Sequence, residues 1–282
     1  MTPPLDGPLS RDWEALRAAL QPLGSAAVAF SGGADSALVL RACREFLPGG
    51  RVLAVTGRSE SLKPAELDRA AALARDLGVP HEVVDTEELL DPGYAANGPD
   101  RCWHCKDELY GRVGERARAL GLAAVVDGLN ADDRPEERPG VRAAIGHGVR
   151  SPLRDAGLGK DRVRALSRAL GLPTWDKPAE PCLSSRIPFG TPVTPELLAR
   201  VGAAEAVLEA LGFRVFRVRH HGTVARVEVA AAEMARALEP EVRRALVEGL
   251  RSAGYAYVAL DLEGFRSGSG REALPPGPAT EV

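Results

Sequence analysis

The chain has no stretch of the roughly 18 consecutive apolar residues that a membrane-spanning helix requires. Its first residues, Met1 to Asp6, also lack a basic region followed by an apolar core, which is the pattern of a secretory leader. Both absences argue against a membrane protein and against a secreted one. We therefore expect a cytoplasmic protein that does not act at a membrane.

The net charge of the chain is small, and its cysteines are few. The 36 basic residues stand against 39 acidic ones, which leaves a formal charge of −3, so no nucleic-acid partner is expected. Four cysteines in 282 residues exclude a disulfide scaffold, and in a reducing compartment such cysteines indicate metal binding or catalysis. Cys43 is the exception, because it stands among the leucines of a predicted helix and is expected to be a small buried residue.

Helix-like and strand-like segments alternate over residues 10–172 and predict an α/β fold, with a parallel sheet and helices on both faces. The predicted strands are Ala26 to Phe30, Arg51 to Thr56, His81 to Asp85 and Ala123 to Asp127. A proline-rich segment, 173–194, is expected to be an ordered active-site loop. Residues 195–266 predict a small C-terminal α+β domain. It is expected to contain a helix from Pro195 capped by Thr194, a hairpin of strands Phe213 to Arg219 and Thr223 to Val229, and a strand Tyr255 to Leu260. The Gly/Pro-rich tail, 267–282, is expected to be disordered.

A glycine-serine segment, Ser31-Gly32-Gly33-Ala34-Asp35-Ser36, connects the first predicted strand to a predicted helix. Its glycines and serines let backbone N–H groups and hydroxyls converge on an anion, and the helix N-terminus adds positive partial charge. No lysine follows the glycines, so the segment is not the common mononucleotide P-loop. Phosphate is the expected ligand, and an ordinary glycine turn is the alternative.

Polar residues follow the last predicted strand of this region. Asp127, Asn130 and Asp133 leave the strand at the sheet edge where the glycine-serine segment also lies. Ligands of such sheets bind beyond the carboxyl ends of the strands. These side chains are therefore candidate magnesium or ribose ligands, with a polar turn as the alternative.

Two cysteines three residues apart, Cys102 and Cys105, lie near a predicted helix start, where the helix dipole lowers thiol pKa values. The spacing fits a zinc site with a further ligand such as His104, an iron–sulfur cluster or a redox pair. Cys182 is distant in sequence and lies beside polar residues of anion-binding type.

The glycine-serine segment matches the SGGxDS signature of the PP-loop ATP pyrophosphatases. With CWHCK at 102–106, PCLSSRIPFG at 181–190, Val215 to His221 and Ala225 to Glu228, the sequence resembles the LarE family over about residues 10–270. Members are ATP-dependent sulfur transferases of nickel-pincer cofactor synthesis. The resemblance implies that a carboxylate of pyridinium-3,5-biscarboxylic acid mononucleotide is adenylated, with release of pyrophosphate, and converted to a thiocarboxylate.

The resemblance also implies how the sulfur is supplied. Members with one cysteine, matching Cys182, are thought to lose its sulfur and retain dehydroalanine. Members with three cysteines, matching Cys102, Cys105 and Cys182, are thought to hold a 4Fe-4S cluster that carries an extra sulfide. Because all three thiols are present, we expect the cluster route, with sacrifice of Cys182 or zinc at the first pair as alternatives.

The remaining roles are implied by the same resemblance. ATP and Mg²⁺ are expected at Ser31, Gly32, Gly33, Asp35, Ser36, Asp127 and Asn130, with Asp35 near the magnesium. The substrate phosphate is expected at Ser185, Arg186, Arg217 and Arg219, with Glu205 orienting the arginines; for Arg217 and Arg219 a solvated strand face is the alternative. Relatives form homo-oligomers, so one is expected here, and the sulfide donor is unknown.

Rival interpretations remain within the PP-loop enzymes and outside them. A tRNA thiolase would call for a basic surface or an RNA-binding module, and an amide-forming synthetase would not require Cys182. A non-catalytic zinc or nucleotide-binding protein is the third alternative.

Overall fold

The computed structural model describes residues 4–134, 138–178 and 180–266, which pack into two compact units. The N-terminal unit comprises residues up to 94 together with 100–180, and the C-terminal unit comprises 95–99 and the chain from 181 onward. The segment expected to be one loop, 173–194, is thus shared between the two units, and the domain boundaries stay a prediction. The tail expected to be disordered lies outside the described residues.

The sheet of the N-terminal unit contains four parallel strands in the order β3-β2-β1-β4. They are β1 (Ala26–Ala29), β2 (Val52–Arg58), β3 (His81–Asp85) and β4 (Ala124–Val126). Ala26 of the central strand pairs with Val52 on one side and with Ala124 on the other. The predicted parallel sheet is confirmed.

Helices cover both faces of this sheet. Ala26 and Val28 contribute to one apolar cluster, while Ala27 contributes to another with Val113 and Ala117, as alternate strand residues point to opposite faces. The helices are α1 (Gly7–Leu20), α2 (Ala34–Phe46), α3 (Pro64–Asp76), α4 (Pro92–Ala95), α5 (Arg101–Ala119), α6 (Pro139–Gly146), α7 (Pro152–Asp155) and α8 (Lys160–Ala169). The predicted α/β architecture is confirmed.

The C-terminal unit places helices against a three-stranded sheet of order β5-β6-β7. Its elements are α9 (Pro195–Ala210), β5 (Phe216–His221), β6 (Val224–Val229), α10 (Met234–Leu238), α11 (Pro240–Ser252) and β7 (Tyr257–Leu260). β5 and β6 form the predicted hairpin, whereas β6 and β7 are parallel. As expected, Thr194 caps α9, because its hydroxyl accepts the N–H of Leu197 at 3.3 Å.

Two strands begin later than predicted, for the same reason. Strands were expected from Phe213 and Tyr255, but the N–H of Phe213 donates to Leu208 O and that of Tyr255 to Leu250 O. Each bond closes the preceding helix after a glycine with positive φ, Gly212 or Gly254. Phe213 and Tyr255 therefore belong to helix ends, although hydrophobic periodicity alone assigns them to strands.

The helix after the first cysteine pair begins earlier than predicted, at Arg101 rather than near Cys105. Both thiols therefore lie within its first turns. None of the helices in the described part of the chain is long and apolar enough to cross a bilayer.

Candidate functional site

The glycine-serine segment forms a tight turn between β1 and α2. Gly32 has φ +67°, and a Cβ there would lie 3.1 Å from the Cβ of Ala70 on α3, so a side chain is excluded. The hydroxyls of Ser31 and Ser36 lie 3.1 Å apart, and the Ser36 hydroxyl donates to Gly33 O at 3.2 Å. The turn thus holds two hydroxyls and a helix N-terminus together, an arrangement suited to phosphate oxygens.

Asp35, in the first turn of α2, is held by two long-range partners. The side-chain amide of Asn130 donates to Asp35 Oδ1 at 3.2 Å, and the ammonium of Lys160 contacts Oδ2. A Cβ at Gly128 would lie 2.8 Å from the N of Ser36, so the chain after β4 runs directly beside the turn. The structure therefore brings Asn130 to the glycine-serine segment, at the sheet edge where both were expected.

Asp127 has different partners, although it leaves the same strand. It is 3% exposed, and its carboxylate accepts the hydroxyl of Tyr110 at 2.7 Å and the N–H of Leu129 at 3.1 Å. Burial raises the pKa of Asp127, while these hydrogen bonds oppose the rise. Asp133 accepts the N–H of Asn130 at 3.0 Å.

A charged cluster lies on the other side of the turn. Lys177 Nζ donates to Glu66 Oε2 at 2.5 Å and lies 3.4 Å from Gly32 O. Glu66 also accepts the Nε of Arg69 at 2.7 Å, and Arg69 lies 3.8 Å from Glu180 Oε2. Although burial opposes it, hydrogen bonds from its neighbours lower the pKa of Glu66 to about 2. Burial, followed by the adjacent Glu66, raises the pKa of Glu180.

Cys102 is exposed and Cys105 half-buried at the start of α5. Residues three apart on a helix share a face, so both thiols can meet one ligand. His104, weighed above as a zinc ligand, has its Nδ1 2.6 Å from Asp91 Oδ2. Among the residues that the structure describes, no three His, Cys, Asp or Glu side chains lie together in a way that could hold a metal ion. The metal roles of these residues stay predictions.

A buried ion pair organises the segment that contains Cys182 in the C-terminal unit. Both side chains of the Arg186–Glu205 pair are 0% exposed, with Nε to Oε1 at 2.7 Å and Nη2 to Oε2 at 3.1 Å. The second terminal nitrogen of Arg186 donates to Pro181 O, Cys182 O and Ser185 Oγ. Glu205 also accepts the N–H of Val218 at 3.2 Å. The pair therefore joins the Cys182 turn to α9 and β5.

Arg217 and Arg219 lie on β5 and are 5% and 8% exposed, so the alternative of a solvated strand face is wrong. Arg219 donates to Ser185 O at 2.9 Å and to Glu228 Oε1 at 3.0 Å. The guanidinium of Arg217 lies 5.0 Å from the centre of the Phe265 ring. Ser185, Arg186, Arg219 and Glu205 thus form one connected network.

Cys182 is half-buried immediately before the short 3₁₀ turn Leu183–Arg186. Beyond that turn the chain is held by Asn97, which is fully buried with φ +57°. Its side-chain amide donates to Pro188 O and Thr191 O, both at 2.8 Å. The Cys182 segment is therefore held at both ends by buried polar contacts.

Sequence reasoning missed several residues of these clusters. Lys160, Lys177 and Tyr110 contact predicted site residues, and Glu66 contacts Lys177, yet none of the four stands in a recognised motif. Two glycines next to a helix start, Gly157 and Gly159, were the available sequence signal for Lys160, whereas no local pattern marks Tyr110.

The three cysteines are divided between the two units. Cys102 and Cys105 belong to the N-terminal unit and Cys182 to the C-terminal unit, and convergence of the three thiols stays a prediction.

Comparisons with known proteins give relatives across almost the whole chain. An uncharacterized protein of Synechocystis sp. is 44% identical over 255 residues, which covers 90% of this chain and 95% of that protein. The pyridinium-3,5-bisthiocarboxylic acid mononucleotide synthase of Lactiplantibacillus plantarum is 41% identical over 259 residues, covering 92% of this chain and 93% of the synthase. An uncharacterized Methanocaldococcus jannaschii protein is 25% identical over 240 residues, covering 85% and 90%.

No protein-family model matches the chain. The similarity to the Lactiplantibacillus synthase exceeds what a shared fold alone would require, and it extends through both packing units. It agrees with the family resemblance that the sequence motifs indicate. The chain therefore belongs to the LarE family.

Proposed function

We propose that the protein is an ATP-dependent sulfur transferase that converts a carboxylate of pyridinium-3,5-biscarboxylic acid mononucleotide to a thiocarboxylate. The observation that carries this proposal is the 41% identity to a pyridinium-3,5-bisthiocarboxylic acid mononucleotide synthase over 92% of the chain. The anion-binding geometry of the glycine-serine turn supports it independently. The same relationship favours this activity over tRNA thiolation and amide formation.

The first step is adenylation. A substrate carboxylate oxygen attacks the α-phosphorus of ATP, the bond from that phosphorus to the bridging β-phosphate oxygen breaks, and pyrophosphate leaves with the electron pair. Ser31, Ser36 and the N–H groups of the turn would bind the phosphates. Asp35 and Asn130 would hold Mg²⁺, which when bound neutralises charge on the phosphates.

The C-terminal unit would bind the phosphate of the substrate. Arg186, Arg219 and Arg226 lie in one network with Glu205, Glu228 and Asp261, and Arg217 lies on the same strand as Arg219. Guanidinium forks and a hydroxyl are well suited to phosphate oxygens. Because Arg186 is fully buried against Glu205, we assign it a positioning role and assign the phosphate to Arg217, Arg219 and Ser185.

Cys102, Cys105 and Cys182 would supply the sulfur chemistry. Three thiolates are a suitable ligand set for a 4Fe-4S cluster, which when bound supplies a hydrosulfide nucleophile at neutral pH. The alternative uses the Cys182 thiolate itself. It would attack the acyl adenylate carbonyl and expel AMP; loss of the Cα proton and cleavage of the Cβ–S bond would then leave the thiocarboxylate and dehydroalanine.

Replacing Cys182 separates activation from sulfur transfer. Cys182→Ala should still release pyrophosphate from ATP in the presence of substrate but form no thiocarboxylate, because the activated carboxylate meets no sulfur nucleophile. Cys43→Ala is the matched control, since Cys43 is buried in the core and burial raises its thiol pKa. Pyrophosphate release and product mass are the two measurements. Continued thiocarboxylate formation by Cys182→Ala would contradict the role of Cys182, and no pyrophosphate from the unaltered enzyme would contradict adenylation.

A further inference from the structure

The glycine-serine turn contains no basic residue, although four negative charges accompany a triphosphate. The chain as a whole carries only four lysines among its 36 basic residues: Lys63, Lys106, Lys160 and Lys177. Two of these four place their ammonium groups against the turn, Lys160 on Asp35 and Lys177 beside Gly32. Nearly all the other basic residues of the chain are arginines. Lysine at both places therefore indicates that the turn requires a compact ammonium group, which a planar guanidinium cannot fully replace.

The positive charges of the two lysines have different partners. Lys160 is paired with the Asp35 carboxylate and therefore balances a charge that belongs to the turn itself. Lys177 comes from outside the turn, on the segment that leads to Cys182, and its nitrogen lies 3.4 Å from the carbonyl oxygen of Gly32. Its side chain is 18% exposed, so it is not sealed inside the core.

Lys177 can also leave its present partner at low cost. Its stronger contact is to Glu66 Oε2, but the other oxygen of Glu66 is held by Arg69. Glu66 therefore stays paired when the ammonium turns toward a phosphate, and no buried charge is left uncompensated. A flexible four-carbon stem lets this happen without movement of the backbone.

We propose that Lys177 binds the β- and γ-phosphates of the nucleotide, the two groups that leave together as pyrophosphate. This inference rests on the proposed use of ATP and adds a residue to it. The Glu66–Arg69 pair holds Lys177 in place before the nucleotide arrives. The contact also links the glycine-serine turn to a residue five positions before Cys182 in the chain.

Calorimetric titration in the presence of Mg²⁺ tests this assignment with three probes: α,β-methylene-ATP, whose α–β link cannot be cleaved, AMP and inorganic pyrophosphate. Lys177→Met should weaken binding of α,β-methylene-ATP and of pyrophosphate by about 10- to 100-fold, because a charged hydrogen bond is lost. Its affinity for AMP should stay within about twofold of the unaltered protein, since AMP lacks the two phosphates. Lys177→Arg should recover part of the loss.

Arg75→Met is the matched control, because it removes a positive charge from the exposed last turn of α3, nine positions from Glu66. It should leave all three affinities nearly unchanged. If Lys177→Met folds poorly, Lys177→Gln provides a second measurement that keeps a hydrogen-bond donor near Gly32 O but removes the charge.

Three results would overturn the assignment. They are equal losses for AMP and α,β-methylene-ATP, no loss for either, or the same losses in Arg75→Met. Failure of the unaltered protein to bind α,β-methylene-ATP would instead overturn the use of ATP, and the role of Lys177 with it.

Discussion

Glu66 and Glu180, near the glycine-serine turn, influence each other's pKa values. Two carboxyl groups lie together with Lys177 and Arg69, and their pKa values move in opposite directions. The pKa of Glu66 falls to about 2, while burial and the neighbouring Glu66 raise that of Glu180. The neutral form of Glu180 can donate a hydrogen bond to Glu66, and this keeps two negative charges from meeting.

This arrangement makes stability depend on pH in a direction that can be tested. Because the folded state holds the Glu180 proton more tightly than the unfolded chain, stability falls as pH rises through the raised pKa of Glu180. Glu180→Gln keeps a neutral donor at all pH values. We expect little difference in melting temperature near about pH 4, and an advantage for Glu180→Gln that grows toward about pH 8.

Glu196→Gln provides a control of opposite sign for the thermal melts. A hydrogen bond to Thr194 lowers the pKa of Glu196, so its contribution is present at neutral pH and is lost on acidification. Removing it should lower the melting temperature slightly at neutral pH and not in acid. A Glu180→Gln advantage that is constant with pH would contradict the assignment of the raised pKa.

Elements of the C-terminal unit are joined by polar groups as well as by their apolar core. The Arg186–Glu205 pair links the turn after Cys182 to α9, and Glu205 reaches β5 through the N–H of Val218. A buried pair of this kind adds little net stability, but removing one partner leaves the other charge uncompensated. The pair therefore matters most for the position of the Cys182 turn.

A double-mutant cycle tests this interpretation. Arg186→Met and Glu205→Leu should each lower the free energy of unfolding by about 3–5 kcal/mol. The joint variant should cost clearly less than the sum of the two, because no unpaired charge remains and only neutral groups, such as the Val218 N–H and the carbonyls of Pro181 and Cys182, lose a partner. Urea unfolding gives the three values. Additive costs in the joint variant would show that the two side chains do not act as a pair.

At the scale of the whole molecule, the proposed chemistry depends on residues from both packing units. The glycine-serine turn and the first cysteine pair belong to the N-terminal unit, whereas Cys182 and the buried arginines belong to the C-terminal unit. Family membership extends over both, since the relatives align with about nine-tenths of the chain. Ligation of one cluster by all three thiols is a prediction for the intact chain.

Anaerobic reconstitution with iron and sulfide tests that prediction. The unaltered protein should show a broad absorption band near about 400 nm that bleaches on reduction, as expected for sulfide-to-iron charge transfer. Serine at Cys102, Cys105 or Cys182 should each remove most of the band and of the bound iron, while Cys43→Ser should retain both. Colourless protein in which Cys182 becomes dehydroalanine after turnover would support the sacrificial route instead.

Local patterns were enough to predict the four parallel strands, the glycine-serine turn and the cap at Thr194. Such features depend on residues within a few positions of one another, so a single stretch of sequence contains their cause. The exceptions lie at element ends. Phe213 and Tyr255 read as strand residues, but their N–H groups close the preceding helices instead.

The sequence by itself determined the α/β class, the glycine-serine turn and the spacing of the Cys102–Cys105 pair. Only the tertiary structure decided that Lys177 lies beside Gly32, that Asp127 pairs with Tyr110 and that Arg186 is buried against Glu205. These partners are separated by 145, 17 and 19 positions. Which residues pair depends on how the helices and strands pack. Burial strengthens an ion pair or a hydrogen bond only where folding has brought the two groups within reach of each other.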